Sequence, residues 1–355
     1  MRLKLMTPGP VEVHPSVLEE MAAPIVSHRS REFREIYARA TRLLERLAGA
    51  SEALLVAGSG TTAVDAMAWS LVKPGEKVLV LSSGEFGERL YQTLKERSRE
   101  TRIVRFNPRT GIILDEALRM VEEEKPGIIA LVHNETSTGT AFRELSRLTQ
   151  EARGHGARVI VDTVSGFPVE PLNLEETGIY AAATCSHKAI AAPPGVGIIL
   201  LSNEAIRDLE KHGAPGVPAS INLAKAHKFH AEKGETPFTP PVNTVRALKK
   251  ALQLVTRDPE EYREQHKRKA SLLLRLLEDK EFKPLPINPS ITSNTVAAFL
   301  TPPNTTPGKL VEKARKAGYQ IAKGMGTYKN KAIRIGVMGN TTQEDIKKLA
   351  TSISS

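Results

Sequence analysis

The chain has one cysteine, Cys185, in 355 residues. A single thiol excludes an intrachain disulfide and any zinc site built from several cysteines. Aromatic residues make up only 5% of the chain, too few for the stacking positions on which nucleic acid is read. No apolar run approaches the roughly 18 residues that span a bilayer. The opening segment, Met1-Arg2-Leu3-Lys4-Leu5-Met6-Thr7-Pro8-Gly9-Pro10, has no apolar signal-peptide core. Acidic residues are outnumbered by Lys and Arg, 40 to 50, leaving a net charge of +10. That excess is spread along the chain and forms no basic cluster, so it reads as a solvated surface whose field also favours an anionic cofactor and carboxylate substrates. These absences lead to the expectation of a cytoplasmic protein that binds neither nucleic acid nor membrane. Internal repeats and low-complexity segments are absent as well.

What is present is a hydrophobic content of 40%, enough for a sizeable core, arranged as short β-branched runs alternating with amphipathic stretches. Strands are expected at 53–57, 77–81, 101–106, 127–132, 158–161, 179–184 and 197–201. Each is a near-continuous apolar run, as in a parallel sheet covered on both faces. Helices are expected at Arg31–Ala48, 61–71, 87–99, 114–123 and 144–155. The alternation predicts an α/β fold with a large, doubly wound, mostly parallel sheet. After Thr236-Pro237-Phe238-Thr239-Pro240-Pro241, a stiff extended stretch, the pattern changes to two long helices, 243–257 and 260–279. It then alternates again through 294–300, 308–317, 332–337 and 342–352. Residues 15–245 are expected to form the large domain. Residues 246–355, joined by the N-terminal tail 1–14, are expected to form a small C-terminal α/β domain.

Lys188 closes the segment Cys185-Ser186-His187-Lys188, between the apolar stretches 181–183 and 190–192. A lysine in a turn is commonly solvated, but a desolvated one has a lowered pKa and becomes a usable amine. Asp162 ends the apolar run Val159-Ile160-Val161-Asp162, where a buried carboxylate needs a partner; a helix cap or surface turn would also account for it. Together they are the two groups that pyridoxal phosphate requires. The lysine holds its aldehyde as a Schiff base, and the aspartate keeps its ring nitrogen protonated.

Gly58-Ser59-Gly60-Thr61-Thr62-Ala63 joins a strand to a helix and could present backbone N–H groups to a phosphate. It reads equally as an ordinary glycine turn. It also matches a dinucleotide fingerprint, but the acid expected at the end of the next strand is missing, since that strand closes on Leu81-Ser82-Ser83 and Glu85 is a poor substitute. In Gly84-Glu85-Phe86-Gly87, Phe86 could stack on a flat ring or lie in the core. His133-Asn134-Glu135-Thr136-Ser137-Thr138-Gly139 follows another strand and could bond a ring hydroxyl and a substrate carboxylate, or serve as a helix-entry loop. Arg334, inside a short apolar strand, could hold a carboxylate with its planar fork or face solvent.

In this order, the motifs resemble the class V, fold type I, pyridoxal phosphate-dependent aminotransferases, in particular the alanine–glyoxylate and serine–pyruvate group. The resemblance runs over nearly the whole chain, from Thr7-Pro8-Gly9-Pro10 and His28-Arg29 to Arg334-Ile335-Gly336. It implies that Lys188 carries the cofactor and shuttles the substrate's α-proton. Asp162 would pair with the pyridinium nitrogen, with Val164 on one ring face and Phe86 on the other, where relatives often have tryptophan or tyrosine. Thr136 would sit by the ring hydroxyl. Ser59, Gly60, Thr61 and His187 would line the phosphate site, although many relatives have glutamine in place of His187. Thr236 would reach the cofactor phosphate of a neighbouring subunit in a homodimer. A tyrosine that helps there in some relatives has no clear counterpart, and Lys233 falls near the place. Arg334 would bind the substrate's α-carboxylate, and Gly9 would lie near the substrate entrance. The implied reaction moves an amino group from alanine, serine or glycine to glyoxylate or pyruvate in a ping-pong cycle.

Four other readings compete. A phosphoserine or aminoalkylphosphonate aminotransferase is the nearest. A cysteine desulfurase-like lyase would need a nucleophilic cysteine in the C-terminal half, and none follows Cys185. A nicotinamide-dependent dehydrogenase rests on Gly58–Ala63 alone and lacks the acidic partner. A non-catalytic subunit would have no reason to keep Asp162, Lys188 and Arg334 together.

Overall fold

A computed structural model describes residues 2–354. Its largest sheet has seven strands in the order Glu52–Gly58, Gly195–Leu201, Ala181–Cys185, Arg158–Asp162, Ile128–Val132, Val78–Ser82, Thr101–Arg105. Only Gly195–Leu201 runs antiparallel to its neighbours; the other pairings are parallel. All seven strands expected from the sequence are in this sheet. Their unbroken apolar character has a direct cause: alternate residues feed two different cores. Leu79, Leu81, Ile129 and Leu131 face one, and Val78, Val80, Ile128 and Ala130 face the other, so neither face is left for water.

Helices cover both faces. Arg31–Ala48 begins where the Ser30 side chain accepts a hydrogen bond from the Phe33 N–H and ends at Gly49 in the left-handed region, φ 54°. Its buried stripe, Phe33, Ile36, Tyr37, Ala40, Leu44 and Leu47, has helical spacing and packs in the same core as Val245, Leu248 and Leu252 of the helix Val242–Val255. A separate core gathers Leu273, Phe299, Ile333, Ile335, Leu349 and, from the other end of the chain, Met6. It lies against a four-stranded antiparallel sheet ordered Lys283–Pro284, Val296–Leu300, Ala332–Gly336, Ala322–Lys323. The N-terminal strand Lys4–Leu5 pairs in parallel with Tyr319–Gln320. Farther along the tail, the Gly336 N–H donates to the Met6 carbonyl at 2.8 Å. The tail therefore runs along the small sheet before reaching residues 7–10.

The helices Asn203–His212 and Leu223–Lys233 are not expected from the sequence pattern. Each has a capping side chain, Ser202 and Asn222, but buries only two residues along its length, Ala205 and Leu209 in one, Leu223 and Ala226 in the other. So thin an apolar stripe gives little periodicity. The strand expected from residue 294 starts at Val296, because Asn294 and Thr295 are engaged in polar contacts: the Asn294 N–H donates to Glu170 at 2.7 Å and the Thr295 hydroxyl accepts from Asn134 at 3.0 Å.

Candidate active site

The turns that follow Val78–Ser82, Ile128–Val132, Arg158–Asp162 and Ala181–Cys185 open on one edge of the sheet, where open α/β sheets place their ligands. Gly58 is brought to the same edge by its pairing with Gly195. Residues far apart in sequence converge there on Lys188.

Lys188 is largely buried, and its Nζ donates to the Pro8 carbonyl at 2.8 Å. Burial lowers its pKa below the ordinary lysine value, and the charges of Arg334 and Arg89 act in the same direction. Asp162 is buried, with Oδ1 accepting from the Val164 N–H at 2.9 Å. Its other oxygen has no hydrogen bond from any described residue. Burial pushes the Asp162 pKa up to about 7, against the pull of that N–H and of Lys188. A carboxylate so placed is in no ion pair with a described residue, a role that suits a protonated pyridine nitrogen.

Two glycines allow close approach. A Cβ on Gly60 would stand 2.7 and 2.8 Å from the two methyls of Val164, so the helix Gly60–Leu71 can abut Val164 only with glycine at its start. A Cβ on Gly9, whose φ is +136°, would meet Lys188 Cδ, Cε and Nζ at 2.5–2.6 Å. Gly9 thus touches the lysine itself. The Ser59 hydroxyl caps the same helix by accepting from the Thr62 N–H at 3.4 Å, and the Thr62 hydroxyl accepts from the Ser59 N–H at 3.0 Å. Thr61 is exposed at the helix start. His187 Nδ1 is buried with no hydrogen-bond partner, and burial, helped by the Lys188 charge, brings this histidine down to about 4. An orphaned ring nitrogen beside a helix N-terminus fits a phosphate oxygen.

Residues 133–138 are all buried. The Thr136 hydroxyl donates to Ser165 Oγ at 2.6 Å, and Ser165 Oγ donates to the Asn134 carbonyl at 2.9 Å. His133 braces the Asp162 turn: its N–H donates to the Asp162 carbonyl at 2.8 Å, and Nδ1 is 3.1 Å from the Thr163 hydroxyl. Burial pushes its pKa down to about 3, so the ring is neutral.

Glu135 caps a helix that lies far from it in sequence. The helix Glu85–Arg97 has no side-chain cap of its own at Gly84. The Glu135 carboxylate serves instead, accepting from the N–H groups of Phe86 and Gly87, each at 3.1 Å, and from the Ser137 N–H at 3.0 Å. A carboxylate at a helix N-terminus is favoured by the peptide dipoles, and this one fixes Phe86. The only sequence signal is the missing cap at Gly84. Arg89 stands three residues beyond Phe86, with its guanidinium 4.9 Å from the ring centroid.

Arg334 comes from the small sheet. Its Nε donates to the Lys323 carbonyl at 3.0 Å, and Nη1 makes a long contact of 3.4 Å with the Thr136 carbonyl. It forms no ion pair with a described residue, and burial lowers its pKa to about 10. Thr236 is not gathered with these groups. Its hydroxyl donates to the Phe238 carbonyl at 2.8 Å, and its own carbonyl accepts from Arg29 at 2.8 Å. Lys233 lies with its amine 4.8 Å from the Phe229 ring centre.

The fold, with its single antiparallel strand beside the lysine strand, and the lysine–aspartate pair at the sheet edge define a fold type I pyridoxal phosphate enzyme. More narrowly, the chain belongs to the class V aminotransferases: the family model described as Aminotransferase class-V matches residues 16–349. An uncharacterized aminotransferase of Methanocaldococcus jannaschii is 34% identical over 271 residues, 75% of this chain and 69% of that protein. The crystal structure of an aspartate aminotransferase of subgroup IV from Thermus thermophilus superposes with a TM-score of 0.89 at 31% identity, covering 98% of this chain and 97% of that one. An alanine–glyoxylate aminotransferase from Nostoc sp. superposes with a TM-score of 0.95 at 26% identity, covering 100% and 95%. The cofactor of the family is pyridoxal 5'-phosphate. The half-satisfied Asp162 carboxylate, the orphaned His187 nitrogen and the buried Lys188 amine are the groups that fit it.

Proposed function

We propose that the protein moves the amino group of a small amino acid, alanine, serine or glycine, to glyoxylate or pyruvate in a ping-pong cycle. The observation that carries this reading is Arg334, desolvated, under the charge of nearby Glu135 but in no ion pair with a described residue, at the edge where Lys188 presents its amine. A planar fork in that state suits the α-carboxylate of an amino acid.

Lys188 is the group we assign to the bond with the cofactor and to proton transfer. When bound, pyridoxal 5'-phosphate supplies an aldehyde that takes up the substrate nitrogen and a ring that accepts the electrons released at the α-carbon. Asp162 would pair with the ring nitrogen and keep it protonated, and its burial would strengthen that pairing. The free Lys188 amine would be the base for the substrate's α-proton, and its lowered pKa leaves more of it unprotonated. Phe86 and Val164 would enclose the ring, and Thr61 and His187 would hold its phosphate. Arg334 fixes the substrate so that the α-hydrogen faces the lysine.

A homodimer is part of the reading. Arg29 holds residues 236 and 237 through their carbonyls, next to the exposed Phe238, which is 44% accessible, and Ile25, which is 80% accessible. Apolar side chains so exposed suit a subunit contact, through which Thr236 would serve the second site.

The test is a donor–acceptor screen of purified protein. Alanine, serine and glycine are each paired with glyoxylate and with pyruvate, after the yellow colour of bound cofactor has been confirmed. A coloured protein that transfers from none of these donors would overturn the assignment.

A further inference from the structure

Arg89 is a cation without an acidic partner at the mouth of this site. It projects from the first turns of the helix Glu85–Arg97, and its guanidinium stands 4.9 Å from the Phe86 ring centroid. An indirect chain of contacts runs from its ring partner toward the substrate arginine. Phe86 N–H donates to Glu135 at 3.1 Å, and the carbonyl of the next residue, Thr136, lies 3.4 Å from Arg334 Nη1. The Arg89 charge is accordingly one of those that depress both the Lys188 amine and the Arg334 guanidinium.

No nearby acid forms an ion pair with Arg89. Glu88 pairs with Arg105 at 2.9 Å. Glu85 lies against Gly326. Glu135 is buried under the N–H groups of the helix start. Arg89 itself is exposed and has no ion pair with any described residue. An arginine with its fork free, stacked on an aromatic ring that limits its motion, is poised for a second anionic group.

From this geometry we infer that Arg89 is a specificity-determining residue. It receives an acidic group on the substrate side chain while Arg334 holds the α-carboxylate, so the site also accepts amino acids with a second acid, carboxylate or phosphate. This rests on the transaminase reading above and extends its donor range. Alanine meets Arg334 only. A donor such as aspartate or O-phosphoserine meets both arginines.

The experiment compares wild type with Arg89→Gln and Arg89→Lys, using alanine, aspartate and O-phosphoserine as donors to glyoxylate. In parallel, succinate and propionate are titrated into the holoenzyme by calorimetry. For Arg89→Gln, the ratio of kcat/KM for the acidic donor to that for alanine should fall about 10- to 100-fold, the size of one charge-assisted contact. The fall should come mainly through KM, and Arg89→Lys should recover part of it. Succinate should bind wild type more tightly than propionate does, and Arg89→Gln should erase the difference. Loss for aspartate assigns a carboxylate ligand, and loss for O-phosphoserine alone assigns a phosphate. Unchanged ratios and unchanged succinate binding overturn the role of Arg89. If wild type transaminates no donor, the transaminase reading fails; a succinate preference that disappears in Arg89→Gln would still support the second anion site.

Discussion

Lys188 and Gly9 are packed so closely that no side chain fits between them: a Cβ on Gly9 would lie 2.5 Å from Lys188 Cδ and 2.6 Å from Nζ. The peptide before it supplies the Pro8 carbonyl that holds the amine at 2.8 Å. The N-terminal tail is therefore a wall of the site as well as an edge of the small sheet. Gly9→Ala should displace both lysine and tail, and the φ of +136° adds backbone strain of about 1–3 kcal/mol. The expected result is a fall in kcat of about 100-fold, the scale of an ångström-level misplacement, with the cofactor's visible band shifted or weakened. Steady-state kinetics and an absorbance spectrum of the variant check it.

Lys188→Ala should abolish turnover and the absorbance of covalently held cofactor together, because both depend on Nζ. Near wild-type transamination in this variant would refute the central assignment.

Asp162 links cofactor to stability. Its folded-state pKa is raised from 3.8 to about 7 in the protein alone. A carboxyl raised in this way favours the folded state below its unfolded value, and that contribution is lost as pH rises from about 4 through 7. Cofactor-free protein should therefore lose thermal stability across that window, and the stabilisation given by added pyridoxal phosphate should grow over the same range. Cofactor-free Asp162→Asn should melt above cofactor-free wild type at pH 8 and close to it at pH 4, while its transamination rate falls by at least about 100-fold. Melting curves with and without cofactor at the two pH values decide this.

The large sheet was legible because each of its strands is a short apolar run buried on both faces, a pattern with few other readings. Asp162 was legible because it ends such a run, and Lys188 because it stands in the turn just after one. The partners that set their properties were not. Pro8 acts through its carbonyl, which no side chain advertises. Gly9 matters for the space it leaves. Glu135 caps a helix 50 residues earlier in the chain (Glu85 to Glu135), and only the fold brings the two together. Arg89 was within reach, since it stands one helical turn from Phe86, but its lack of an acidic partner is a property of the packed structure.

Glu135→Gln tests the tertiary cap. The carboxylate accepts from two helix N–H groups and from Ser137, and an amide would turn an NH2 toward one of those donors. A loss of stability of about 1–3 kcal/mol is expected, the cost of one buried unsatisfied donor, together with weaker cofactor binding because Phe86 loses its anchor. Chemical denaturation and a cofactor titration measure the two effects. Unchanged cofactor affinity would show that Phe86 is held by other contacts.

Arg334 is held by the Lys323 carbonyl at 3.0 Å and only weakly by the Thr136 carbonyl at 3.4 Å, which leaves most of its fork for a ligand. Replacing it with glutamine removes the charge and the bidentate geometry, so KM for the amino donor should rise and kcat/KM fall by about 100-fold, as expected for charge-assisted bonds. The cofactor spectrum should not change, because Arg334 is assigned to the substrate. A variant with a normal KM would remove Arg334 from the substrate site and with it the observation that makes an α-amino acid the donor.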